Sequence, residues 1–363
     1  MSKKLRVGIL TMHRVYNCGS YLQAYALQQV IETMGCDCEI IDYLYPNALH
    51  GQNFNYYPIT FRNSVQHIWH NIFHGRWELV QKQVHEMRWA MMLNKKLRLS
   101  KKSYTTADEL VTNPPEYDVY VLGSDQVLNE RFTRNDQTFL MGFAPEGKKC
   151  ISYASSAPKV QFSKNYTEQI MALVSRYSAI STRERESAKV IGEMLNREVD
   201  SHVDPVFLLS KDEWEKKLRF TQKNGGYVLY YVLNYMGDIE QEAIDMLMKD
   251  IADGRRVYTN MPLYEQKGEQ LKEMFPSEFV NTIANAEYVV TDSFHSTAIA
   301  LLFHVPVMPI VANSEQDMRI NDMVTRVGEQ DARGFVRSVE SKIEEEREKA
   351  IRYLRKNINI DKG

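Results

Sequence analysis

The chain has 363 residues, of which 25% are charged and 44% hydrophobic, and its formal net charge is −2. The length favours two domains, because a single hydrophobic core rarely grows past about 250–300 residues, and the near-neutral charge argues against bulk nucleic-acid binding. The four cysteines lack zinc-finger spacing and are too few for a disulfide scaffold, so we expect packed free thiols.

Strands and helices alternate from the beginning of the chain. We predict a strand at Leu5–Leu10, a helix at Tyr21–Met34 and a second strand at Glu39–Tyr43, which together form one βαβ unit. The alternation continues with predicted strands at 118–122, 150–154 and 179–182, helices at 163–177 and 188–195, and a strand with a turn at 202–209.

A basic, aromatic insertion interrupts this pattern. Residues 62–102 are predicted to be mostly helical, after an irregular stretch at 47–63. His67, His70 and His74 have the spacing of one helix face, but no carboxylate or cysteine joins them at matching spacing. A structural or surface role is therefore favoured over a metal site. The segment is also compatible with an amphipathic helix that faces a membrane-bound substrate.

The alternation restarts in the second half of the chain, after a boundary near 209–224. We predict strands at 226–233 and 256–259, a helix at 238–251, and a charged terminal helix at 338–357 in which Glu345 pairs with Lys349. Alternating strands and helices imply mostly parallel sheets. The sequence thus predicts two α/β halves, and a cleft between two such domains is a favoured place for a ligand.

The segment YVVTDSFHSTAIALLFHVPVMPI at Tyr288–Ile310 has the clearest pattern. An apolar strand is followed by a polar corner of Ser293, Phe294 and His295, and then by a helix and another strand. Such a corner lies outside the carboxyl end of a parallel strand, where open sheets bind ligands, and at a helix N-terminus, which attracts anions. A histidine there can transfer a proton or hold a phosphate or carboxylate. A simple helix cap is the competing interpretation.

Similar polar clusters follow other predicted strands. They are Asn17-Cys18-Gly19-Ser20, Gly123-Ser124-Asp125-Gln126, Ser155-Ser156 and Arg183-Glu184, and Arg319 follows the last apolar strand. Two cations, one histidine and small polar groups suit an anionic donor and a hydroxylated acceptor. The competing interpretations are turn geometry for the glycines and a surface ion pair for the arginine. The chain lacks the P-loop, GxGxxG, HExxH and GxSxG motifs, which argues against the enzyme classes that they mark.

Six stretches that contain these residues resemble the polysaccharide pyruvyl transferase family. In chain order they are NCGSYLQAYALQ, DVYVLGSDQVLN, ISYASS, ISTRERES, VDPVFLL and TDSFHSTAIALLFHVPV. The resemblance implies two Rossmann-like α/β domains that face each other across a cleft, as in glycosyltransferase-B-like folds. The domain at 1–209 would be the acceptor side and would carry the helical insertion near 62–102. The domain at 210–363, with the terminal helix, would be the donor side.

The resemblance also implies a chemical reaction. The enzyme would move the enolpyruvyl group of phosphoenolpyruvate onto a sugar diol of a polysaccharide or lipid-linked glycan precursor, form a pyruvate ketal and release phosphate. Such a reaction belongs to exopolysaccharide or capsule biosynthesis. Phosphoenolpyruvate would be a co-substrate, and we expect no metal and no other cofactor.

The donor residues implied by the resemblance lie in two of the matching stretches. They are Arg183, Ser293, Phe294, His295 and the adjacent Ser296, and Arg319 is added by its position alone. Some family members carry an arginine at the position of Ser293. The charge of the donor would then be met here by Arg319, Arg185 or helix N–H groups.

Three residues are expected to be catalytic. His295 would transfer a proton or bind the departing phosphate, Arg183 would neutralise negative charge, and Asp125 would hold or deprotonate a sugar hydroxyl. The sequence leaves open which group is the acid and which is the base. The residues expected to orient the acceptor are Asn17, Gly19, Ser20, Gln126 and Asn129.

Two other functions stay open at this point. They are a nucleotide-sugar-dependent glycosyltransferase of the same fold and a non-catalytic glycan-binding protein. The start of the chain lacks signal-peptide features and no apolar run reaches about 18 residues, which predicts a cytoplasmic location. We expect no nucleic-acid partner. A lipid-linked acceptor, a peripheral contact with the inner face of the membrane, and the oligomeric state are left open.

Overall fold

The structure is a computed structural model that describes residues 4–44, 68–157, 161–233, 248–261, 268–310 and 314–358. The chain forms two compact units. Unit 1 comprises Met1–Ser155 and Phe162–Ile180, and unit 2 comprises Ser156–Gln161 and Ser181–Gly363. Each unit has a sheet that is wholly or mostly parallel, so the predicted fold class, two Rossmann-like α/β domains, is confirmed.

The division between the units comes earlier in the chain than the predicted boundary near 209. Residues 181–209, which we expected in the N-terminal domain, belong to unit 2 because they pack against its last helix. The side-chain Nε of Arg347 donates a 2.7 Å hydrogen bond to the carbonyl oxygen of Phe207, and the rings of His202 and Tyr353 are in contact.

Unit 1 is built on a five-stranded parallel sheet in the order β3-β2-β1-β4-β5. Its strands are β1 Arg6–Leu10, β2 Asp37–Tyr43, β3 Leu99–Tyr104, β4 Val119–Leu122 and β5 Lys149–Ser152. Its helices are α1 Cys18–Thr33, α2 Trp77–Lys96, α3 Ala107–Thr112, α4 Glu130–Thr133 and α5 Lys164–Leu173, with a further helical segment at 68–73. All four side chains of the inner strand β4 are buried, as expected where helices cover both faces of a parallel sheet.

Unit 2 contains a seven-stranded sheet in the order β10-β9-β8-β11-β12-β14-β13. The parallel strands are β8 Tyr227–Tyr231, β9 Arg256–Thr259, β10 Glu269–Gln270, β11 Tyr288–Thr291 and β12 Val307–Pro309. The antiparallel strands at one edge are β13 Gly328–Gln330 and β14 Val336–Ser338. A separate parallel pair is formed by β6 Ser181–Thr182 and β7 Asp200–Ser201.

The described part of unit 2 contains six helices that we number α6 to α11. They are α6 Arg185–Leu195, α7 Lys211–Leu218, α8 Pro276–Ala284, α9 Phe294–Leu302, α10 Ser314–Val327 and α11 Glu340–Ile358, with a short 3₁₀ helix at Pro205–Leu208. Strand β11 lies between β8 and β12, and its residues Val289 and Val290 are fully buried. The carboxyl end of β11 is therefore held in place by neighbours on both sides.

Most predicted elements are confirmed, and the exceptions have local causes. Strand β3 falls within the span that we predicted to be mostly helical, and the prediction was wrong there because β3 is an edge strand whose exposed lysines give no apolar period. The predicted strand and turn at 202–209 contains a 3₁₀ helix instead, because Asp204 caps that helix and Pro205 starts it. The predictions for residues 47–63 and His67, and most of the helix predicted at 238–251, lie outside the described residues.

The predicted ion pair on the terminal helix and the predicted free cysteines are both present. Lys349 Nζ lies 2.9 Å from Glu345 on α11, as expected for charges one helical turn apart. All four cysteines are free, and Cys36, Cys38 and Cys150 are buried. Among the described helices, none has both the length and the apolar character that crossing a bilayer requires.

Candidate active site

The polar corner after β11 forms the first turn of helix α9. The hydroxyl of Ser293 caps the helix by accepting a hydrogen bond from the N–H of Ser296 at 3.3 Å, and the N–H of Ser293 donates to the Thr291 hydroxyl at 3.1 Å. The N–H groups of Phe294 and His295 have no carbonyl partner within the helix, because they belong to its first turn. The corner thus has the predicted position, at the carboxyl end of a parallel strand and at a helix N-terminus.

Arg183 and His295 meet at a carboxylate that we did not predict as a site residue. Nη1 of Arg183 donates a 2.8 Å hydrogen bond to Oδ2 of Asp204. Nε2 of His295 lies 3.7 Å from the same oxygen, which is an ion-pair distance rather than a hydrogen bond. The guanidinium of Arg183 also stacks 4.0 Å above the ring of Phe294. All of these residues belong to unit 2.

Asp204 is ionised in this arrangement, although its side chain is fully buried. Burial alone would raise the pKa of its carboxyl group. The attraction of His295 and Arg183, together with the hydrogen bond from the N–H of Val206, outweighs burial and lowers this pKa to about 2. A buried negative charge is stable only when such partners surround it.

Arg183 lies between two carboxylates rather than at the surface. Only 3% of its surface is exposed, and its Nε donates a 3.2 Å hydrogen bond to Oε1 of Glu184. The same oxygen accepts a 2.7 Å hydrogen bond from the hydroxyl of Ser156, and Oε2 accepts one from the N–H of Ala157. Arg183 thus forms an ion pair with Glu184, but the pair is buried rather than at the surface where the competing interpretation placed it. Much of its positive charge is balanced within the chain.

Two buried polar atoms in the first turn of α9 have no hydrogen-bond partner in the described part of the chain. They are the hydroxyl oxygen of Ser296, which is fully buried, and Nε2 of His295. A hydroxyl can donate or accept a hydrogen bond, and an imidazole can also take or give a proton near neutral pH. The turn therefore offers a hydroxyl, an imidazole and helix N–H groups to a ligand that carries negative charge.

The remaining cations named from the sequence have different surroundings. Arg185 is the first residue of α6, and its guanidinium contacts Asp322 at 2.9 Å and the hydroxyl of Thr325 at 2.8 Å. Its guanidinium is therefore already engaged by side chains of α10. Arg319 lies half-buried in α10.

The residues expected to bind the acceptor lie in unit 1, at the carboxyl ends of the neighbouring strands β1 and β4. The hydroxyl of Ser20 donates a 2.5 Å hydrogen bond to Oδ2 of Asp125, which joins the start of α1 to the loop after β4. Oδ1 of Asp125 accepts the N–H of Gln126 at 2.9 Å, so this carboxylate also caps its own loop. Its φ of 69° lies in the left-handed region, which is uncommon for a residue with a side chain.

The other acceptor candidates have structural contacts within the same loops. The side chain of Asn17 caps α1 by accepting the N–H of Ser20 at 3.1 Å, and Gly19 lies inside that helix. The side chain of Asn129 donates a 2.8 Å hydrogen bond to that of Gln126 and caps α4. The structure thus brings all five acceptor candidates and Asp125 to the start of α1 and the neighbouring loop after β4, at one edge of the sheet.

A second buried charge cluster in unit 1 was not predicted. Asp42 on β2 accepts two 2.7 Å hydrogen bonds from Arg14, one at each carboxylate oxygen, and lies 3.0 Å from Nε2 of His13. Burial would raise the pKa of Asp42, but His13 and Arg14 outweigh it and hold that pKa well below its usual range. The sequence signal was the pair His13-Arg14 in the loop that follows β1, where parallel sheets collect polar side chains.

Unit 2 also has two surface cavities that do not include the first turn of α9. One of about 970 Å³ is lined by residues that include Arg219 and Gly225, and the other, of about 430 Å³, by residues that include Arg255, Tyr288 and Phe335. Gly225 precedes β8 and Tyr288 begins β11, so both cavities lie at the amino ends of strands. Ligands of open α/β sheets bind at the carboxyl ends, so we place the candidate site at α9. Among the described residues, no group of His, Cys, Asp and Glu could hold a metal ion.

Solved structures share this fold at low sequence identity. A protein from Listeria monocytogenes, assigned as a UDP-N-acetylglucosamine 2-epimerase, has a TM-score of 0.51 at 9% identity, covering 89% of this chain and 83% of that one. MnaA of S. aureus, determined with UDP, has a TM-score of 0.50 at 9% identity, covering 99% and 98%. At this identity, the likeness supports the fold, a glycosyltransferase-B-like pair of Rossmann-like domains, and nothing further.

Sequence comparison identifies the family. Among curated proteins, no significant match is found. The profile of the family described as polysaccharide pyruvyl transferase matches residues 17–314, which include Asp125, Arg183, Asp204 and His295. The chain therefore belongs to the polysaccharide pyruvyl transferase family and is a transferase.

Proposed function

We propose that this enzyme transfers the enolpyruvyl group of phosphoenolpyruvate to a sugar diol of a glycan or glycan precursor, forms a pyruvate ketal and releases phosphate. The observation that carries the proposal is the first turn of α9. There, His295 lies beside the ionised carboxylate of Asp204 and next to helix N–H groups. The helix N–H groups and the imidazole can bind a ligand that carries a phosphate and a carboxylate.

The reaction requires an addition and then a substitution at C2 of the donor. One sugar hydroxyl adds to C2 of phosphoenolpyruvate while C3 gains a proton, and the second hydroxyl then replaces the phosphate at C2. His295 is suited to the proton transfer, because an imidazole can both donate and accept a proton and the carboxylate of Asp204 lies 3.7 Å from its Nε2. We propose His295 as the group that exchanges a proton with the donor or its departing phosphate.

Arg183 acts in this proposal mainly through its neighbours. Two of its nitrogens contact the carboxylates of Asp204 and Glu184, and its guanidinium covers Phe294. It therefore positions Asp204 and the start of α9. The negative charge of the donor is met by the helix N-terminus and His295, with Ser296 as a hydroxyl contact and with Arg319 as a further cation.

The acceptor is proposed to bind at the loops of unit 1 that follow β1 and β4. The carboxylate of Asp125, held by Ser20 and by its own loop, could accept a proton from a sugar hydroxyl. The amide side chains of Asn129 and Gln126 can hydrogen-bond to neighbouring hydroxyls. We further propose that the acceptor is a polysaccharide or a lipid-linked glycan precursor.

The test measures phosphate release and product formation from phosphoenolpyruvate with a panel of glycan acceptors. We expect His295→Gln to lower turnover about 10²–10⁴-fold, the usual effect of losing a proton-transfer group. His304→Gln is the matched control, because His304 follows the other end of α9, where it pairs with Glu340. Full activity in His295→Gln would overturn the role of that residue. Turnover of UDP-sugars, with none of phosphoenolpyruvate, would overturn the donor.

A further inference from the structure

Gln23 places a buried amide in the helix that starts at the acceptor candidates. It lies on α1, three residues after Ser20, and is fully buried, as are its apolar neighbours Leu22 and Ala24. Burying an amide costs free energy unless it is hydrogen-bonded, and Oε1 of Gln23 accepts no hydrogen bond from any residue that the structure describes. A methionine would fill similar space without that cost, so filling the core does not account for this amide.

Both hydrogen bonds that the Gln23 amide donates lead to Asp125. Nε2 donates at 2.9 Å to the carbonyl oxygen of Ser20, whose hydroxyl in turn donates to Oδ2 of Asp125. Nε2 also donates at 2.9 Å to the hydroxyl oxygen of Thr11, and that hydroxyl donates its own proton at 3.0 Å to the carbonyl of Ser124. One side chain therefore holds the residue that binds the Asp125 carboxylate and the backbone directly before it.

The loop that carries Asp125 is held on two sides. The left-handed φ of 69° at Asp125 is a conformation that persists only where the surrounding structure fixes it. On the β5 side, the hydroxyl of Ser155 donates to the carbonyl of Gly123 at 3.0 Å. On the β1 side, a Cβ at Gly123 would lie 3.0 Å from that of Thr11, so the loop packs closely on the residue that Gln23 binds.

We propose that Gln23 is a positioning residue that holds the carboxylate of Asp125 in place for the acceptor. The inference rests on the proposed function, in which Asp125 accepts a proton from a sugar hydroxyl. Proton transfer requires the two groups to lie about 2.6–3.2 Å apart, and a misplacement of about 1 Å can lower the rate about 10²-fold. Because Gln23 is fully buried, it acts through Ser20 and Thr11.

Gln23→Met tests the proposal, because it keeps the length of the side chain and removes both donated hydrogen bonds. Gln28→Met is the matched control. Gln28 is also buried on α1, and its amide makes two hydrogen bonds to the backbone of Arg98, which precedes β3. Both variants should lose similar stability in thermal unfolding. With phosphoenolpyruvate and an acceptor, we expect Gln23→Met to lower kcat about 10–100-fold without changing KM for phosphoenolpyruvate. Gln28→Met should retain kcat.

A double-mutant cycle identifies the residue through which Gln23 acts. In a protein that carries Asp125→Asn, adding Gln23→Met should not lower the rate further, because the group that Gln23 positions is already gone. The proposal is overturned if the two effects multiply, or if Gln23→Met and Gln28→Met lower kcat equally. Thr11→Val breaks one of the two connections and decides the question if Gln23→Met does not fold. Full kcat in Thr11→Val would then overturn the proposal.

Amide hydrogen exchange separates this proposal from the proposed function. The N–H of Gln126 donates to Oδ1 of Asp125 at 2.9 Å, and the N–H of Val127 donates to its carbonyl at 2.8 Å. Both should exchange about tenfold faster in Gln23→Met and at the unchanged rate in Gln28→Met. That result in a protein that does not turn over phosphoenolpyruvate would overturn the proposed function and support the positioning role. Equal exchange in the two variants would overturn the positioning role, whatever the activity.

Discussion

Replacing Asp204 with asparagine tests whether the site depends on a buried charge. The substitution keeps the shape of the side chain but removes the negative charge that contacts Arg183 at 2.8 Å and lies 3.7 Å from His295. Breaking a buried ion pair typically costs 3–5 kcal/mol. Glu184 remains as a second carboxylate for Arg183. We therefore expect the lower end, a loss of about 3 kcal/mol in the free energy of unfolding.

The pKa of Asp204 supports a similar magnitude and predicts a pH dependence. The pKa is lowered from 3.8 to about 2 in the folded protein, which corresponds to about 2 kcal/mol of stabilisation. Because the folded pKa lies below the unfolded one, this contribution is fully present above about pH 4. It is lost as the pH falls towards 2. The difference between the unchanged protein and the variant should therefore narrow over that interval.

Thermal unfolding followed by circular dichroism measures both effects. At neutral pH, a loss of about 3 kcal/mol corresponds to a Tm lower by roughly 6–12 °C for a unit of this size. Asp250→Asn is the control, because Asp250 is an exposed carboxylate of unit 2 and should change stability by less than about 0.5 kcal/mol. An unchanged Tm for Asp204→Asn, or a difference that persists undiminished at pH 2, would refute the reasoning.

Two further predictions concern other buried polar groups. Ser20→Ala removes a 2.5 Å hydrogen bond to the carboxylate of Asp125 and should cost about 1.5–3 kcal/mol in urea unfolding; strict additivity with Asp125→Asn in a double-mutant cycle would contradict the coupling. Burial, with the charges of Arg326 and Lys349, lowers the pKa of His202 from 6.5 to about 4. Stability should therefore fall by about 1.4 kcal/mol per pH unit as the pH decreases between those values. His202→Phe should remove that part of the acid sensitivity, and equal sensitivity of its Tm to acid would contradict the prediction.

Local patterns along the chain were enough to predict most of the strands and helices. An apolar run, a polar corner and an apolar helical stretch predicted β11, α9 and β12, because these patterns depend on neighbouring residues only. The six matching stretches likewise pointed to the family, since motifs are local in sequence. Where the local pattern was weak, as in the polar edge strand β3, the prediction failed.

The site, in contrast, is assembled by contacts between distant segments of the chain. Arg183, Asp204 and His295 come from three separate elements, and no periodicity in the chain relates them. The family resemblance implied that Arg183 binds the donor, and only packing showed that its guanidinium lies between Asp204 and Glu184. The same packing assigns residues 181–209 to unit 2. Such contacts depend on how distant segments fill a common core, and a buried charge takes whichever partner that packing brings within reach.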